Sequence, residues 1–476
     1  MHISFQIRLG NNKVVNVRWN TEMFSFAIVS VLAVALLATS GDVTQTWTSP
    51  TYPKLYSNDT SENPLGEPIT PDEDAWIGSL LNVGAMIGAL PAGFIADRIG
   101  RKMTLLCIAI PHLVAYVAYA FARNVYLFYF GRFISGLSVG SGYAIIPMYV
   151  AEVSSDSNRN AFSAMLPIFW TLGNFLPFAI GPYITIKIFN LILAALPATF
   201  LVVFILLAPE TPYYYIQKGN EKKAESSLVK LRSIPSAEVQ KEILQIKETV
   251  GKHEDGALMD IFIKPSLRRA LILSLILMMG NQFSGINAVG YYLEPILDAS
   301  GTDIPSDLAS TFYGGWLFIS SFTSTFAVKK LGQKIPLIAS CIGSAISMVS
   351  LGIFFYIHDN NEEDAKPLFW LPLVSLLVYC AFFNLGLAGI PWAVGSQLFP
   401  NSVKPISSAA VSCMCWFCSF LITHFFNDLT NSLDKSGTFW LFGGCNVLTA
   451  IFTLVWIPET KGKSFSEIQD MLQGRN

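Results

Sequence analysis

Charge is scarce in this chain. Asp, Glu, Lys and Arg together supply only 13% of its 476 residues, against 52% hydrophobic residues and a mean hydropathy of +0.47. That balance argues against an ordinary soluble domain, in which about a quarter of the residues are charged. Cysteine is also rare. All seven (Cys107, Cys341, Cys380, Cys413, Cys415, Cys418 and Cys445) fall in apolar runs, so no outer disulfide framework is expected. Cys413, Cys415 and Cys418 lie close in sequence, but a helix would splay them and no His is adjacent, which argues against a metal site. The five His residues are scattered, and no Gly-rich phosphate loop appears, which speaks against an ATP-driven pump. No cofactor and no catalytic residue is expected, and the chain does not read as an enzyme. No nucleic-acid partner and no obligate protein partner is evident.

Long apolar runs dominate instead. Six centre on 24–40, 76–95, 103–121, 125–150, 161–184 and 187–208, and six more on about 270–296, 309–328, 335–357, 368–395, 405–427 and 437–457. Each is near the ~20 residues that a helix needs to cross a bilayer. Lipid offers no partner to free backbone N–H and C=O groups, so these runs must be helices; their length and continuity exclude alternating barrel strands. The expected fold class is an all-α polytopic membrane protein with twelve transmembrane helices in two pseudo-repeated six-helix halves. The boundaries read as a tail over 1–22, a first half over 23–215, a loop over 216–269, a second half over 270–458 and a tail over 459–476.

Twelve spans put both ends of the chain on one side. With the N-terminus in the cytosol, 25 Lys and Arg fall in cytosolic loops and tails, against five outside (Lys54, Arg123, Lys187, Lys366 and Lys435) and Arg132 within a span. This is the positive-inside pattern. The acidic stretch from Asp42 to Asp74 then becomes the first outer loop, and its sequon Asn58-Asp59-Thr60 is a candidate glycosylation site. Arg8, Lys13 and Arg18 before the first run resemble the start of a signal peptide. No clear small-residue cleavage pattern follows, so the run is kept as the first span.

The loop from Ile216 to Arg269 is rich in Lys and Glu, and Lys222–Leu231 and Val239–Ile246 are patterned as short amphipathic helices. On either side of it the chain repeats itself. Asp97-Arg98-Ile99-Gly100-Arg101-Lys102 is echoed by Lys329-Lys330-Leu331-Gly332-Gln333-Lys334, Glu152 and Arg159 by Gln397 and Lys404, and Pro209-Glu210-Thr211-Pro212 by Pro458-Glu459-Thr460-Lys461. The offsets are 232, 245 and 249 residues. Repeated halves place a substrate site at their interface, near the membrane midplane.

These motifs carry a family resemblance over essentially the whole chain. Asp97 to Lys102, Gly131-Arg132 with Gly136 and Gly140, Pro147 to Glu152 with Arg159, Pro209 to Pro212, Gln282-Phe283-Ser284-Gly285-Ile286-Asn287, Ile390-Pro391-Trp392 and Pro458 to Ser464 stand in family order. The chain resembles the sugar porter family of the major facilitator superfamily. Within it, Thr48-Ser49-Pro50, Pro167 and Phe439-Trp440-Leu441-Phe442-Gly443 are most similar to insect trehalose and hexose transporters. The resemblance implies a small-molecule sugar substrate and a facilitative uniporter in the plasma membrane.

A sugar hydroxyl both donates and accepts, and each one left unpaired in a dry site costs about 1–3 kcal/mol, so amides are its natural partners. The seventh span offers Asn281, Gln282 and Asn287. Polar groups at that depth are costly unless used, interhelical hydrogen bonding being the alternative use. Gln282 and Asn287 are five apart, which is not one face of an α-helix, but Gly285 between them can permit a bend. Aromatic rings can receive the C–H faces of a sugar, making Phe383, Trp392 and Trp416 candidates; the resemblance places Trp392 and Trp416 in the pocket. Gly386, Gly389 and Pro391 are expected to break the tenth span.

Several positions depart from the family pattern. Pro167 stands where a sugar-binding Gln is common, and Trp170 and Asn174 share roughly its helical face, so Asn174 is a candidate for the missing amide. Asn384 replaces a Glu, Cys415 an Asn, and Leu317 an Asn. At the cytosolic ends the resemblance makes Arg98, Arg101, Glu152, Arg159 and Glu210 bridging residues of a gate, with Lys329, Gln397, Lys404 and Glu459 their counterparts. There the second half has lost charges: Lys329 matches Asp97, Gln333 an Arg and Gln397 a Glu; in the first half Tyr213 replaces the Arg of the Pro-Glu-Thr-Pro motif. A weaker inner gate and an inward-facing bias are expected. Asp42, an acid near the membrane, is a candidate proton site, although it lies one residue from the family's position, where Val43 stands, and the alternative is a wet carboxylate at a helix end. Facilitated diffusion is therefore preferred to a proton-coupled sugar or polyol symporter. A sugar sensor would be expected to carry a long output segment, whereas 17 residues follow Glu459.

Overall fold

The computed structural model describes residues 4–9, 13–18, 26–251, 261, 263–301, 304–400 and 403–459, with positions 463, 467 and 471. Thr460, Lys461, Gly462 and Ser464 of the terminal motif lie outside the described residues. The chain begins with a departure from helix. Strands β1 (Ser4–Leu9) and β2 (Lys13–Arg18) pair antiparallel with Phe5 opposite Val17 and Ile7 opposite Val15. Ser4–Leu9 alternates polar and apolar residues, a period of two that suits a strand, and Lys13–Arg18 is rich in β-branched Val.

The first half holds α1 (Phe26–Thr46), α2 (Thr48–Leu55), α3 (Pro71–Ile99), α4 (Arg101–Ala120), α5 (Val125–Val153), α6 (Arg159–Ile180) and α7 (Ile186–Leu207). The linker forms α8 (Pro212–Gln217), α9 (Glu221–Arg232) and α10 (Ser236–Gly251), whose Leu228, Val239, Ile243 and Ile246 close a small core of their own. The second half runs α11 (Pro265–Asn281), α12 (Asn287–Asp298), α13 (Ser306–Ser320), α14 (Thr323–Leu331), α15 (Lys334–Asn360), the short α16 (Glu362–Ala365), α17 (Leu371–Leu385), α18 (Ile390–Gln397) and α19 (Lys404–Trp456).

Among the described residues, ten stretches are long and apolar enough to cross a membrane. The last, Ile406–Trp456, is 51 residues long, too long for one crossing at about 1.5 Å per residue. It breaks at Asp434, whose φ of 57° and ψ of 170° are not helical, and so supplies two spans. The eighth span is a pair, α13 and α14, parted at Ser321 and Phe322. Together these make the expected twelve.

The first outer loop is shorter than its acidic composition implies. Asp42 lies inside α1, residues 48–55 form α2, and Asp72, Glu73 and Asp74 are the first turn of α3. Thr70 caps that helix, accepting from the Glu73 N–H while the Glu73 carboxylate takes the Thr70 N–H at 2.8 Å. Carboxylates favour a helix N-terminus, which is why this acidic run is helical. Asn58 is exposed in the remaining loop. Close packing of α3 on α5 rests on small residues facing each other: a Cβ at Gly84 would stand 2.2 Å from the Phe133 carbonyl oxygen, and one at Gly140 would stand 2.0 Å from that of Ala85.

The sequence repeat has a structural cause. Gly100, at φ 99°, ends α3, and the Glu210 carboxylate then accepts the N–H groups of Arg101 and Lys102 at 3.0 Å, capping α4. Gly332, at φ 82°, precedes α15, where Glu459 accepts from Gln333 at 3.4 Å and Lys334 at 3.3 Å. A Cβ on Gly100 would lie 2.2 Å from Glu210 Oε2, and one on Gly332 would lie 2.8 Å from Glu459 Oε2. Burial pushes the Glu210 carboxyl above its ordinary range while its backbone donors pull the other way. Gly100→Ala should cost about 1–2 kcal/mol for the left-handed backbone and a further ~1 kcal/mol for the displaced cap. The check is a thermal melt in detergent: a clear fall in Tm is expected, with Gly93→Ala as control, since nothing lies within 4 Å of a Cβ there.

Candidate functional site

The seventh span bends where its amides are. Between α11 and α12, residues Gln282–Ile286 form one π-helical turn, with Gly285 at φ 100°. A π turn repeats at i+5, so the awkward five-residue spacing brings Gln282 and Asn287 together. Asn287 Nδ2 donates to Gln282 Oε1, Gln282 Nε2 donates to Asn281 Oδ1 at 2.6 Å, and Asn281 Nδ2 donates to the Leu387 carbonyl. Gln282 Nε2 also reaches Cys415 Sγ at 3.0 Å, so the thiol that departs from the family pattern sits on the amide chain. Gln282 and Asn281 are buried and Asn287 is half-buried.

Leu387 belongs to the break of the tenth span. Residues 386–389 leave the helix between α17 and α18, and the Leu387 N–H is taken by Ser340 Oγ at 3.0 Å. Side chains from the seventh and ninth spans thus satisfy both backbone groups of one residue, as lipid could not.

An aromatic cluster spans the two halves beside this chain. Tyr143 on α5 stacks on Trp170 of α6 at 5.2 Å and 5°, lies 6.2 Å from Trp392 of α18, and meets Trp416 of α19 edge-on at 5.7 Å. The Trp416 indole N–H is buried without a partner among the described residues. A buried unused donor costs about 1–3 kcal/mol, so this one is available to an acceptor on a ligand. Tyr143 was not singled out from sequence: a Tyr in an apolar run carries no signal until its neighbours are known.

Asp42 is tied to the same cluster. It is 3% exposed, accepting from Tyr143 OH at 2.7 Å and from Asn174 Nδ2 at 2.8 Å. The expectation of a wet carboxylate at a helix end is therefore corrected, because α1 continues to Thr46 and carries Asp42 inside. Asn174 spends a donor on Asp42 and on no other side chain among the described residues. A small space of about 10 Å³ next to it, lined by Gly41, Asp42, His112, Tyr143 and Trp170, has room for a water and not for a sugar.

Two further candidates, Phe383 and Asn384, come from α17. Asn384 is buried and donates to the Leu317 carbonyl at 3.1 Å and to Ser320 Oγ at 2.8 Å, joining the tenth span to the eighth. Phe383 is buried against Tyr379, with ring centroids 5.9 Å apart. These contacts lie within the second half, and Tyr379 in turn meets Ser284 of the π turn at 3.1 Å.

The end of the bundle carrying the acidic loop is closed across the halves. The Asp74 carboxylate accepts from Tyr292 OH at 2.6 Å, Tyr56 OH at 2.8 Å and Asn427 Nδ2 at 3.1 Å. Asn82 donates to Thr423 Oγ1 at 2.9 Å and accepts from Ser419 Oγ at 2.8 Å, and Thr48 Oγ1 donates to the Tyr291 carbonyl at 3.0 Å. Arg132 is fully buried below, donating to the carbonyls of Ile77 and Thr44 with the rings of Trp47 and Tyr291 beside it.

At the opposite end the charged candidates separate. Arg101, 1% exposed, pairs with Glu152 and Asp97, each at 3.1 Å, and donates to Gln217 at 2.9 Å. Arg159 pairs with Asp156 at 3.3 Å rather than with Glu152, and Arg98 is exposed and lies over the Phe94 ring. The expectation that Arg98 and Arg159 bridge helix ends is thereby corrected: Arg101 is nearer to Glu152 and takes it. Lys329 and Lys404 have no ion-pair partner among the described residues, and Gln397 is exposed. Ion pairs among the described residues lie within the first half, within the linker or beside each other on α15; none joins the halves at this end.

A family profile described as "Sugar (and other) transporter" matches residues 25–472. The facilitated trehalose transporter Tret1 of Apis mellifera ligustica is 32% identical over 455 residues, covering 95% of this chain and 89% of the relative. The facilitated trehalose transporter Tret1-2 homolog of Drosophila sechellia is 30% identical, covering 95% and 92%. In fold, the inward open conformation of the xylose transporter XylE from E. coli superposes with a TM-score of 0.75 at 21% identity, over 94% of this chain and 99% of that one.

Replacing Asn384 by Leu leaves the Leu317 carbonyl and Ser320 hydroxyl without their donor, at a cost of about 1–3 kcal/mol. Thermal stability in detergent should fall, while equilibrium sugar binding by the folded fraction stays within about twofold of wild type. A selective loss of binding would return Asn384 to the site.

Proposed function

This chain belongs to the sugar transporter family of the major facilitator type, an integral membrane transporter and not an enzyme; from that premise we propose that it carries trehalose or a hexose by facilitative uniport. The observation that carries the reading is the pairing of the amide chain Asn281–Gln282–Asn287 with the aromatic cluster of Tyr143, Trp170, Trp392 and Trp416 between the two halves. Amides donate and accept as sugar hydroxyls require, the rings offer faces to C–H groups, and the orphan Trp416 N–H offers one more donor. The insect relatives are named for trehalose, which favours a disaccharide among the candidates.

Alternating access follows from the two ends. The hydrogen bonds on Asp74, Asn82 and Thr48 seal the halves at the acidic-loop end, which we place outside the cell, and they must break for that end to open. At the linker end, placed in the cytosol, the ion pairs of Arg101 and Arg159 stay within the first half, which supports a weaker tie between the halves there than at the acidic-loop end. Exposed pairs are worth only ~0–1 kcal/mol each, so the lost charges of the second half matter together. This supports an inward-facing bias in a plasma-membrane protein.

A proton-coupled reading has one observation in its favour, the buried Asp42 carboxylate touching Tyr143. Both readings are tested by counterflow of labelled trehalose and glucose in proteoliposomes. With equal pH on both sides, exchange should proceed, and Gln282→Ala should lower it by about tenfold, since it cuts the amide chain twice. Loss of exchange in the wild type, or none in the mutant, would sink the uniport site as proposed. An imposed pH gradient should leave uphill accumulation absent; accumulation that vanishes in Asp42→Asn would establish the symporter instead.

The orientation is tested at the exposed Asn58. Expressed in insect cells, the chain should carry a glycan, seen as a glycosidase-sensitive mobility shift that Asn58→Gln removes. Glycosylation of a sequon introduced into the 216–251 linker would invert the topology.

A further inference from the structure

One groove lies on the outer surface of the second half, away from the site. On α11, Arg268, Arg269, Ile272 and Ile276 follow one another at helical spacing, and α19 supplies Phe452 and Trp456, stacked at 5.5 Å. The space between them is about 580 Å³. Its chemistry changes along its length. The two guanidinium groups stand in the first turns of α11, whereas Ile276 is eight residues further on, about 12 Å at ~1.5 Å per residue. That is the step from the headgroup layer of a bilayer into its hydrocarbon, the headgroup layer being roughly 5–8 Å on each side.

Arginines at the cytosolic end of a span occur by the positive-inside rule alone. This pair differs in standing over a formed apolar channel. Arg268 is exposed and has no ion-pair or hydrogen-bond partner among the described residues, so its donors are unspent. Ile272, Ile276 and Trp456 are likewise exposed beneath it. A guanidinium recognises phosphate oxygens in a two-pronged fashion, and a Trp at the interface suits a polar group above and acyl chain below.

We propose that the groove between α11 and α19 binds one anionic phospholipid, its phosphate held by Arg268 with the positive charge of Arg269 beside it, and an acyl chain lying along Ile272, Ile276, Phe452 and Trp456. Charge complementarity selects an anionic over a zwitterionic headgroup, and the apolar channel selects a lipid over a free anion. The bound lipid rests on α11, the segment that ends in Asn281 and the π turn, and so touches the helix whose bend sets the amide chain.

The test uses the whole protein in nanodiscs of phosphatidylcholine with increasing brominated phosphatidylglycerol or brominated phosphatidylcholine. Quenching of Trp456 is read as the fluorescence of wild type less that of Trp456→Phe. Brominated phosphatidylglycerol should reach half-quenching at a several-fold lower mole fraction than brominated phosphatidylcholine. In Arg268→Gln/Arg269→Gln the two lipids should quench equally and fully, which also shows the groove still formed. Equal quenching by both lipids in the wild type would overturn the proposal, as would a preference that survives the double substitution. A preference abolished by millimolar inorganic phosphate would assign the arginines to a soluble anion and overturn it too.

Discussion

Inside a bilayer every backbone N–H and C=O must find its partner within the protein, and this chain is arranged around that constraint. Where a span stays helical, the demand is met locally. Where a span breaks, another span has to meet it. The tenth span opens at Leu387, and Asn281 and Ser340 take up its carbonyl and N–H. The seventh opens at Gly285, and Asn446 Nδ2 donates to the freed region at the Ser284 carbonyl at 3.0 Å. Asn281 therefore both repairs the backbone of the tenth span and belongs to the amide chain of the seventh.

The duplicated architecture shows in its caps. In each half a Glu beyond the sixth span of that half accepts the first N–H groups of its third span, past a glycine with positive φ. The cap is shared, but its surroundings differ. In the first half Arg101 binds Glu152, Asp97 and Gln217 around it, and Arg232 ties the linker to the carbonyls of Val153 and Ser154. In the second half Gln333 and Gln397 stand in the places of an Arg and a Glu. The halves share a fold, and the first adds the ion pairs of Arg101 around its cap.

Asp74 and Asp42 show how burial changes the meaning of a carboxylate. Both belong to a stretch that composition marks as a solvated loop, yet they are 2% and 3% exposed. Asp74 gathers two tyrosines and an asparagine from three different segments, and so holds the halves together. Asp42 orients Tyr143, the ring on which three tryptophans converge.

Hydropathy alone determined the membrane class, the twelve spans and the division by a charged linker, because a bilayer leaves helices of about 20 residues as the economical solution for such runs. The motif repeats marked the glycines and glutamates of the caps, and the amides of the seventh span stood out as polar groups where polar groups are costly. Only the tertiary structure decided how those groups are used. A five-residue spacing became one face through a π turn, Asn384 turned toward the eighth span, and Arg101 took Glu152 while Arg159 paired with Asp156. Tyr143 and Trp416 acquired meaning only beside each other. Periodicity along the chain reports which face a residue shares, whereas partners across helices depend on distances that no local pattern encodes.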